Sequence, residues 1–135
     1  MELQKTFYHP PKSTTVKKWR EEAPLDFEFT LKAWQLITHP PTSPTYGRLK
    51  IPIPEDKGDN YGFFRPTNEV FGAWEKIDQI CRALGVKIVV FQCPPSFTPT
   101  REHKENLREF FSSVEKRNYT FVWEPRGPWR EEEVA

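Results

Sequence analysis

The stretch KIVVFQCPPSF, residues 87–97, decides the predicted fold. Residues 86–92 form a near-continuous apolar run, which is typical of a parallel strand covered on both sides. Gln92 ends that run, and Pro94 and Pro95 stop the strand because proline has no backbone N–H to donate. Three further strand-like runs end in polar residues on the same alternation phase, within MELQKTFYHPP (1–11), FEFTLKAWQLITH (27–39) and YTFVWEPRGPW (119–129).

Helical patterns lie between the strand-like runs. The spacing of apolar residues predicts strands over 2–8, 27–32, 86–92 and 119–124, and helices over 14–22, 67–84 and 101–116. Thr67 is a suitable N-cap for the second helix, and Gly85 supplies its C-terminal stop. Strands that alternate with helices favour parallel pairing with right-handed crossovers, and therefore a single α/β domain over residues 1–135.

The two alternation phases of the strands differ in polarity, which favours a barrel over an open sheet. One phase is large and apolar, as expected under helices: Leu3, Phe7, Phe27, Phe29, Leu31, Val89, Phe91, Phe121 and Trp123. The other phase is much more polar: Glu2, Gln4, Thr6, Tyr8, Thr30, Lys32, Val90, Gln92, Thr120, Val122, Glu124 and Arg126. An open sheet with helices on both faces would be apolar on both phases. We therefore predict a parallel (β/α) barrel of TIM type, whose inward phase lines the mouth at the strand C-termini.

A long irregular loop from about residue 39 to residue 66 interrupts the pattern. It holds nine prolines and glycines and shows no period. It is too long for an ordinary connection, so it is either a functional loop or a mobile one. Prolines also follow several strand-like runs, where rigid loops suit a preorganised site but equally suit a thermophilic protein.

The charge balance gives no support to a nucleic-acid binder or an anionic-membrane binder, because 20 Lys and Arg face 19 Asp and Glu. No apolar run is long enough to span a bilayer and no charged-then-apolar leader opens the chain, so we predict a cytoplasmic protein. Cys81 and Cys93 form no CxxC pair. We predict two buried, reduced thiols rather than a disulfide or a metal clip.

Four ordered groups of residues carry a resemblance to a known family. They are Glu2 with Thr6-Phe7-Tyr8, Lys32-Ala33 with Ile37-Thr38-His39, Phe91-Gln92 with Pro94-Pro95 and Phe97, and Glu124 with Arg126 and Trp129. These groups resemble the YecE-like family (domain of unknown function 72), a family of (β/α) barrels with no established activity. The resemblance implies a pocket at the strand ends. It covers the second to fifth strands, so we expect a partial barrel, about half, from a truncated reading frame or a fragment.

The candidate chemistry lies at the strand ends. Glu124 is a candidate general base or metal ligand, and Arg126 can hold a carboxylate or phosphate by two-point contact. The alternative is a structural ion pair between these two residues. Lys32 can bind an anion or act as a desolvated amine nucleophile. Its alternative is a salt bridge to Glu2, Glu28 or Glu124, because a buried lysine is costly without a partner.

Two histidines follow strand-like runs in the same way. His39 is a candidate acid–base group, and with His9, Glu2 and Glu124 it could form a mixed-ligand metal site. No HxH or HExxH spacing enforces such a site, so no metal is predicted and a hydrogen-bonding loop histidine is the alternative. Gln92, Tyr8 and Glu2 are candidate ligand-binding residues, although Gln92 and Tyr8 satisfy each other equally well inside a barrel.

Several common site types lack support. The chain has no phosphate-cradling glycine loop, no GxSxG elbow and no Rossmann fingerprint, so no cofactor is predicted. We expect His103, on the polar face of a predicted helix, at the surface. Trp129, Trp34 and Tyr46 can wall a ligand site or belong to the core.

Two functions remain in competition. In the first, the barrel mouth binds a small anionic substrate and performs acid–base chemistry of a hydrolase or lyase type. In the second, the chain is a non-catalytic half-barrel that pairs with itself or with a complementary half through exposed edges at residues 2–8 and 119–124.

Overall fold

The computed structural model describes residues 2–3, 5–23, 28–49, 53–114, 119–127 and 129. Among these residues the strands are β1 (Glu2–Leu3), β2 (Thr30–Lys32), β3 (Ile88–Gln92) and β4 (Thr120–Glu124). The helices are α1 (Lys5–Tyr8), α2 (Ser13–Glu22), α3 (Gln35–Thr38), α4 (Asn68–Leu84) and α5 (Arg101–Ser113), with 3₁₀ helices at Pro44–Arg48 and Glu55–Asn60.

The sheet is parallel, and its strand order follows the chain. β1 pairs with β2, β2 with β3 and β3 with β4, so that Leu31 lies opposite Val89 and Val89 opposite Phe121. Parallel strands with helices between them confirm the predicted α/β class. All described strands therefore point the same way, and their C-terminal ends meet at one edge of the sheet.

The predicted apolar phase of the strands is buried under helices. Leu31, Val89 and Phe91 are fully buried. The Trp74 ring of α4 lies 6.0 Å from the Phe91 ring, and the Phe110 ring of α5 lies 5.7 Å from it. These aromatic contacts hold the two long helices on one face of the sheet.

Helix α4 is formed as its sequence predicts. The Thr67 hydroxyl accepts a hydrogen bond from the Val70 N–H at 3.2 Å, which satisfies one of the orphan donors of the first turn. Gly85 ends the helix with a left-handed backbone, at a φ of 71°. Apolar residues at helical spacing between these two caps bury a continuous stripe against the sheet.

The second face of the sheet is open to solvent, which corrects one prediction. Ile88 is 36% exposed and Val122 is 41% exposed. Register places Val90 opposite Val122, so these apolar residues share one face. The strand is therefore buried on one side in the described structure, and its continuous apolar run does not reflect two covering layers.

The first predicted strand is mostly wrong. Only Glu2–Leu3 is a strand, and Lys5–Tyr8 forms a helical turn, while Gln4 lies outside the described residues. The turn is fixed by tertiary contacts, because the Thr6 hydroxyl donates to the Lys32 carbonyl at 2.8 Å and Phe7 is buried. The second predicted strand is shortened to Thr30–Lys32, with Phe27 outside the described residues.

The described parts of the long loop have local structure. Its two 3₁₀ helices each follow or begin at a proline, whose fixed φ suits the start of a helix. The Ser43 hydroxyl accepts a weak bond from the Thr45 N–H at 3.4 Å at the start of the first. The first 3₁₀ helix lies against α1, and the second lies against α4.

Candidate functional site

Three of the candidate residues end three neighbouring strands. Lys32, Gln92 and Glu124 are the last residues of β2, β3 and β4. Gln92 lies opposite Glu124 in the register, and the Lys32 ammonium donates to the Gln92 side-chain oxygen at 2.6 Å. The sheet therefore brings these side chains into one row at its C-terminal edge, on the face that is open to solvent.

Arg126 extends this row beyond β4. Its guanidinium donates to the Glu124 carboxylate at 3.0 Å, and the two side chains are 50% and 45% exposed. An ion pair as exposed as this contributes only about 0–1 kcal/mol, so a competing anion can take the guanidinium at little cost. The predicted structural pair is thus formed, and both partners still reach solvent.

His39 is buried at the same edge, directly after α3. It is 5% exposed, the Thr38 hydroxyl lies 2.7 Å from its Nδ1, and the Phe7 ring meets the imidazole edge-on at 4.9 Å. Burial and, as a smaller contribution, the positive charge of Arg126 together lower the pKa of His39 from 6.5 to about 4. The imidazole is therefore neutral near pH 7 and lies within the electrostatic reach of Arg126.

Among the remaining predicted residues, Tyr8 and His9 contact other parts of the chain than this row. Tyr8 is half-buried on α1 rather than at a strand end, and its carbonyl accepts from the Gln35 amide at 2.9 Å. The backbone of Glu2 lies in β1, and its side chain is outside the described part of the chain. The His9 ring packs edge-on against Trp34 at 5.6 Å.

His103 and Trp129 belong to an aromatic cluster between the loops after β3 and β4. The His103 ring is partly buried and stacks on Phe97 at 4.7 Å, so it is less exposed than the predicted surface histidine. Its position on the polar face of α5 did not reveal this contact, because Phe97 comes from a loop. The Trp129 ring also stacks on Phe97, at 5.5 Å. Its indole N–H donates to the Phe97 carbonyl at 2.6 Å.

Two residues contact the backbone of His39: Gln35, which sequence reasoning did not name, and Tyr46, which it named only as a wall or core residue. The Gln35 carbonyl accepts from the His39 N–H at 2.8 Å. Gln35 is fully buried, and in the described structure its side-chain oxygen has no hydrogen-bond partner. Tyr46 donates its hydroxyl to the His39 carbonyl at 2.7 Å. A glutamine inside an apolar segment was a usable signal for Gln35, whereas the loop position of Tyr46 gave no sign of its contact with His39.

Both cysteines are buried free thiols, as predicted. Burial raises the pKa of each thiol to about 12, which makes the nucleophilic thiolate scarce near neutral pH. The Trp123 indole N–H also donates to the Cys93 sulfur at 3.1 Å. These contacts give the thiols a packing role.

Two kinds of feature are absent from the described parts of the chain. They contain no group of three or more His, Cys, Asp and Glu side chains that could hold a metal ion. No helix within the same ranges is both long enough and apolar enough to cross a bilayer.

Comparison with known proteins gives a family. The family model described as protein of unknown function DUF72 matches residues 1–134, which is nearly the whole chain. The chain belongs to the DUF72 family. No curated protein and no solved structure matches it. DUF72 membership confirms the resemblance seen in the four groups of residues. Because the family is one of unknown function, membership brings no reaction, and the chemistry must be argued from the site.

Proposed function

We propose that this chain forms about half of a TIM-type (β/α) barrel and binds a small anion at the C-terminal ends of its strands. The observation that carries the proposal is the row of Lys32, Gln92, Glu124 and Arg126 at that edge. TIM barrels place their active sites at this end, where the βα loops converge.

The strand order supports the barrel part of the proposal. Each described strand pairs with the next one along the chain, and the order does not reverse between β1 and β4. Doubly wound sheets bind their ligands at a reversal of the order, whereas barrels continue in one direction. The face that carries Lys32, Gln92 and Glu124 is then the inward face.

Two cations give the site its affinity for an anion. The Lys32 ammonium is held by the amide of Gln92, which leaves it as an oriented point charge. Arg126 offers a planar fork that matches a carboxylate or a phosphate. A ligand that takes this fork breaks its bond to Glu124, so ligand binding frees the carboxylate to act as a general base.

His39 supplies the second acid–base group of the proposal. Its imidazole is neutral near pH 7, so it can hydrogen-bond to a bound substrate or a water molecule, and its pKa of about 4 makes it a weaker base than an ordinary histidine. A carboxylate base and a neutral imidazole beside two cations suit a hydrolytic or lyase-type step on an anionic substrate.

A melting experiment with matched variants tests the binding step. Inorganic phosphate and acetate, each at millimolar concentration, should raise the melting temperature of the chain by a few degrees, because a ligand stabilises the folded state that binds it. Arg126→Ala should abolish the rise. Arg101→Ala should keep it, because Arg101 forms a comparable 3.0 Å ion pair with Glu105 on an exposed helix.

The controls separate site binding from a general salt effect. Potassium chloride at the same ionic strength should leave the melting temperature unchanged. If neither phosphate nor acetate shifts the melting temperature, or if Arg126→Ala responds as Arg101→Ala does, the anion site is wrong.

A second function is favoured by the open face of the sheet. Ile88 and Val122 are large apolar residues exposed on that face, and β1 and β4 are the outer strands among those described. Two copies with four strands each would make the eight strands of a TIM-type barrel and cover these residues. In this alternative the chain is a non-catalytic half-barrel that assembles with a second copy.

A further inference from the structure

Three consecutive residues of the long loop have a left-handed backbone. The φ angles are 78° at Gly62, 52° at Phe63 and 53° at Phe64. A residue with a side chain rarely adopts such an angle, and two consecutive phenylalanines that do so indicate a conformation held by their surroundings. We call residues 62–64 the left-handed turn.

The left-handed turn caps α3. The N–H groups of Gly62, Phe63 and Phe64 donate to the carbonyls of Leu36, Thr38 and Ile37, at 2.8, 3.2 and 2.9 Å. The last carbonyls of a helix have no partner inside the helix. The turn therefore satisfies three consecutive carbonyls just before His39.

Gly62 also touches His39 directly. A Cβ atom at position 62 would clash with the carbonyl oxygen and the carbonyl carbon of His39. The Tyr46 hydroxyl donates to the same oxygen at 2.7 Å. Two residues of the long loop thus fix the backbone of His39, and only glycine fits at one of them.

The left-handed turn is itself anchored in the core. Phe64 is fully buried, and its ring lies 5.2 Å from Phe110 and 5.5 Å from Phe97. The side chain of Asn106, from α5, donates to the Phe63 carbonyl at 3.1 Å. The position of His39 is therefore tied through the turn to α5 and to the aromatic core.

We propose that the left-handed turn positions the imidazole of His39 at the strand ends, with Gly62 as the positioning residue. The inference rests on the proposed function for the role of His39, but the positioning itself can be measured without a ligand. A group that acts in acid–base chemistry must be held in one geometry, and a strained turn anchored in the core provides this.

The described groups that face His39 determine its pKa, which is the quantity that the test measures. They are the Thr38 hydroxyl at Nδ1, the edge of the Phe7 ring and the positive charge of Arg126. If the ring is displaced toward water, it loses the effect of burial, and its titration moves toward that of a free histidine.

The test compares two alanine substitutions by NMR titration of the His39 ring, with His39→Gln used to assign the signal. Gly62→Ala should raise the pKa of His39 from about 4 toward 6.5. Gly85→Ala is the matched control, because Gly85 has a similar φ of 71° but nothing within 4 Å of an added Cβ. It should leave the titration of His39 unchanged.

Tyr46→Phe is the second variant, and it decides the question if Gly62→Ala does not fold. It removes one hydrogen bond from the His39 carbonyl, so we expect the pKa of His39 to rise by less than in Gly62→Ala. An unchanged titration of His39 in every folded variant of Gly62 and Tyr46, or an equal shift in Gly85→Ala, would overturn the proposal.

Phosphate binding is measured separately on the same variants. A shifted titration with a weaker phosphate response supports both the positioning and the role of His39 at the site. A shifted titration with an unchanged phosphate response supports the positioning and counts against a part for His39 in anion binding.

Discussion

The fold removes His39 from water, and the protonation of this one residue therefore affects the stability of the domain. Its pKa is lowered to about 4 in the folded chain, against 6.5 for an ordinary histidine. Between these two values the unfolded chain binds a proton that the folded chain does not. Acidification through this range consequently favours the unfolded state.

We expect the free energy of unfolding to fall as the pH is lowered from 6.5 toward 4, by up to about 1.4 kcal/mol per pH unit from His39 alone. Urea unfolding at several pH values measures this slope. His39→Gln should flatten it near pH 6, where the carboxylates contribute little. An equal slope in wild type and His39→Gln would show that His39 is not buried as a neutral group.

The sequence indicated the candidate residues at strand ends better than those in loops. Lys32, Gln92 and Glu124 were predicted on one phase because strand alternation fixes which face a side chain occupies. They form one row because the three strands are parallel and their C-terminal ends lie at the same edge of the sheet. Gly62 was missed and Tyr46 was named only as a wall or core residue, since their contacts with His39 depend on how a long loop folds back, and no short-range pattern encodes that.

At the scale of elements, length and periodicity decided what could be predicted. Helix α4 and strand β4 were placed well, because α4 repeats its apolar spacing over several turns and β4 alternates between clear boundaries. The short helices α1 and α3 were missed. A single turn is too short to show a helical period, and both are held by tertiary hydrogen bonds such as that from Thr6 to the Lys32 carbonyl.

The caps of α4 allow a direct test at this scale. Thr67→Ala should lower the free energy of unfolding by about 1 kcal/mol, because it removes the side-chain acceptor for the Val70 N–H. Gly72→Ala should instead raise stability by about 0.5–1 kcal/mol, since Gly72 lies within α4 with nothing within 4 Å of an added Cβ. Urea unfolding measures both, and a loss in Gly72→Ala would contradict the assigned helix.

The whole molecule presents one buried and one open face of its sheet. The sequence predicted the polarity difference between the two phases, but it could not show that Ile88 and Val122 would be left in contact with water. Apolar residues on a polar phase fit either the lining of a closed barrel or a surface between two copies. Which of the two applies depends on whether two chains associate, and no local pattern in the sequence predicts that.

Association through the open face has a measurable outcome. On the half-barrel alternative, light scattering during size-exclusion chromatography should give a dimer for the wild type and a monomer for Val122→Asp. The control Gln79→Asp changes an exposed residue of α4, away from the sheet, and should remain dimeric. A wild-type monomer at all concentrations would rule out the pairing of two copies.

The sequential order of the strands also affects how the chain can fold during its synthesis. Each described strand after β1 pairs with the strand that precedes it in the chain, so β2 finds β1 already made, and β4 finds β3. Strand pairs can therefore form in the order in which the ribosome releases them, and the described sheet does not have to wait for a later strand to be inserted between two earlier ones. A nascent chain that stalls after any strand already holds a native edge to which the next can add.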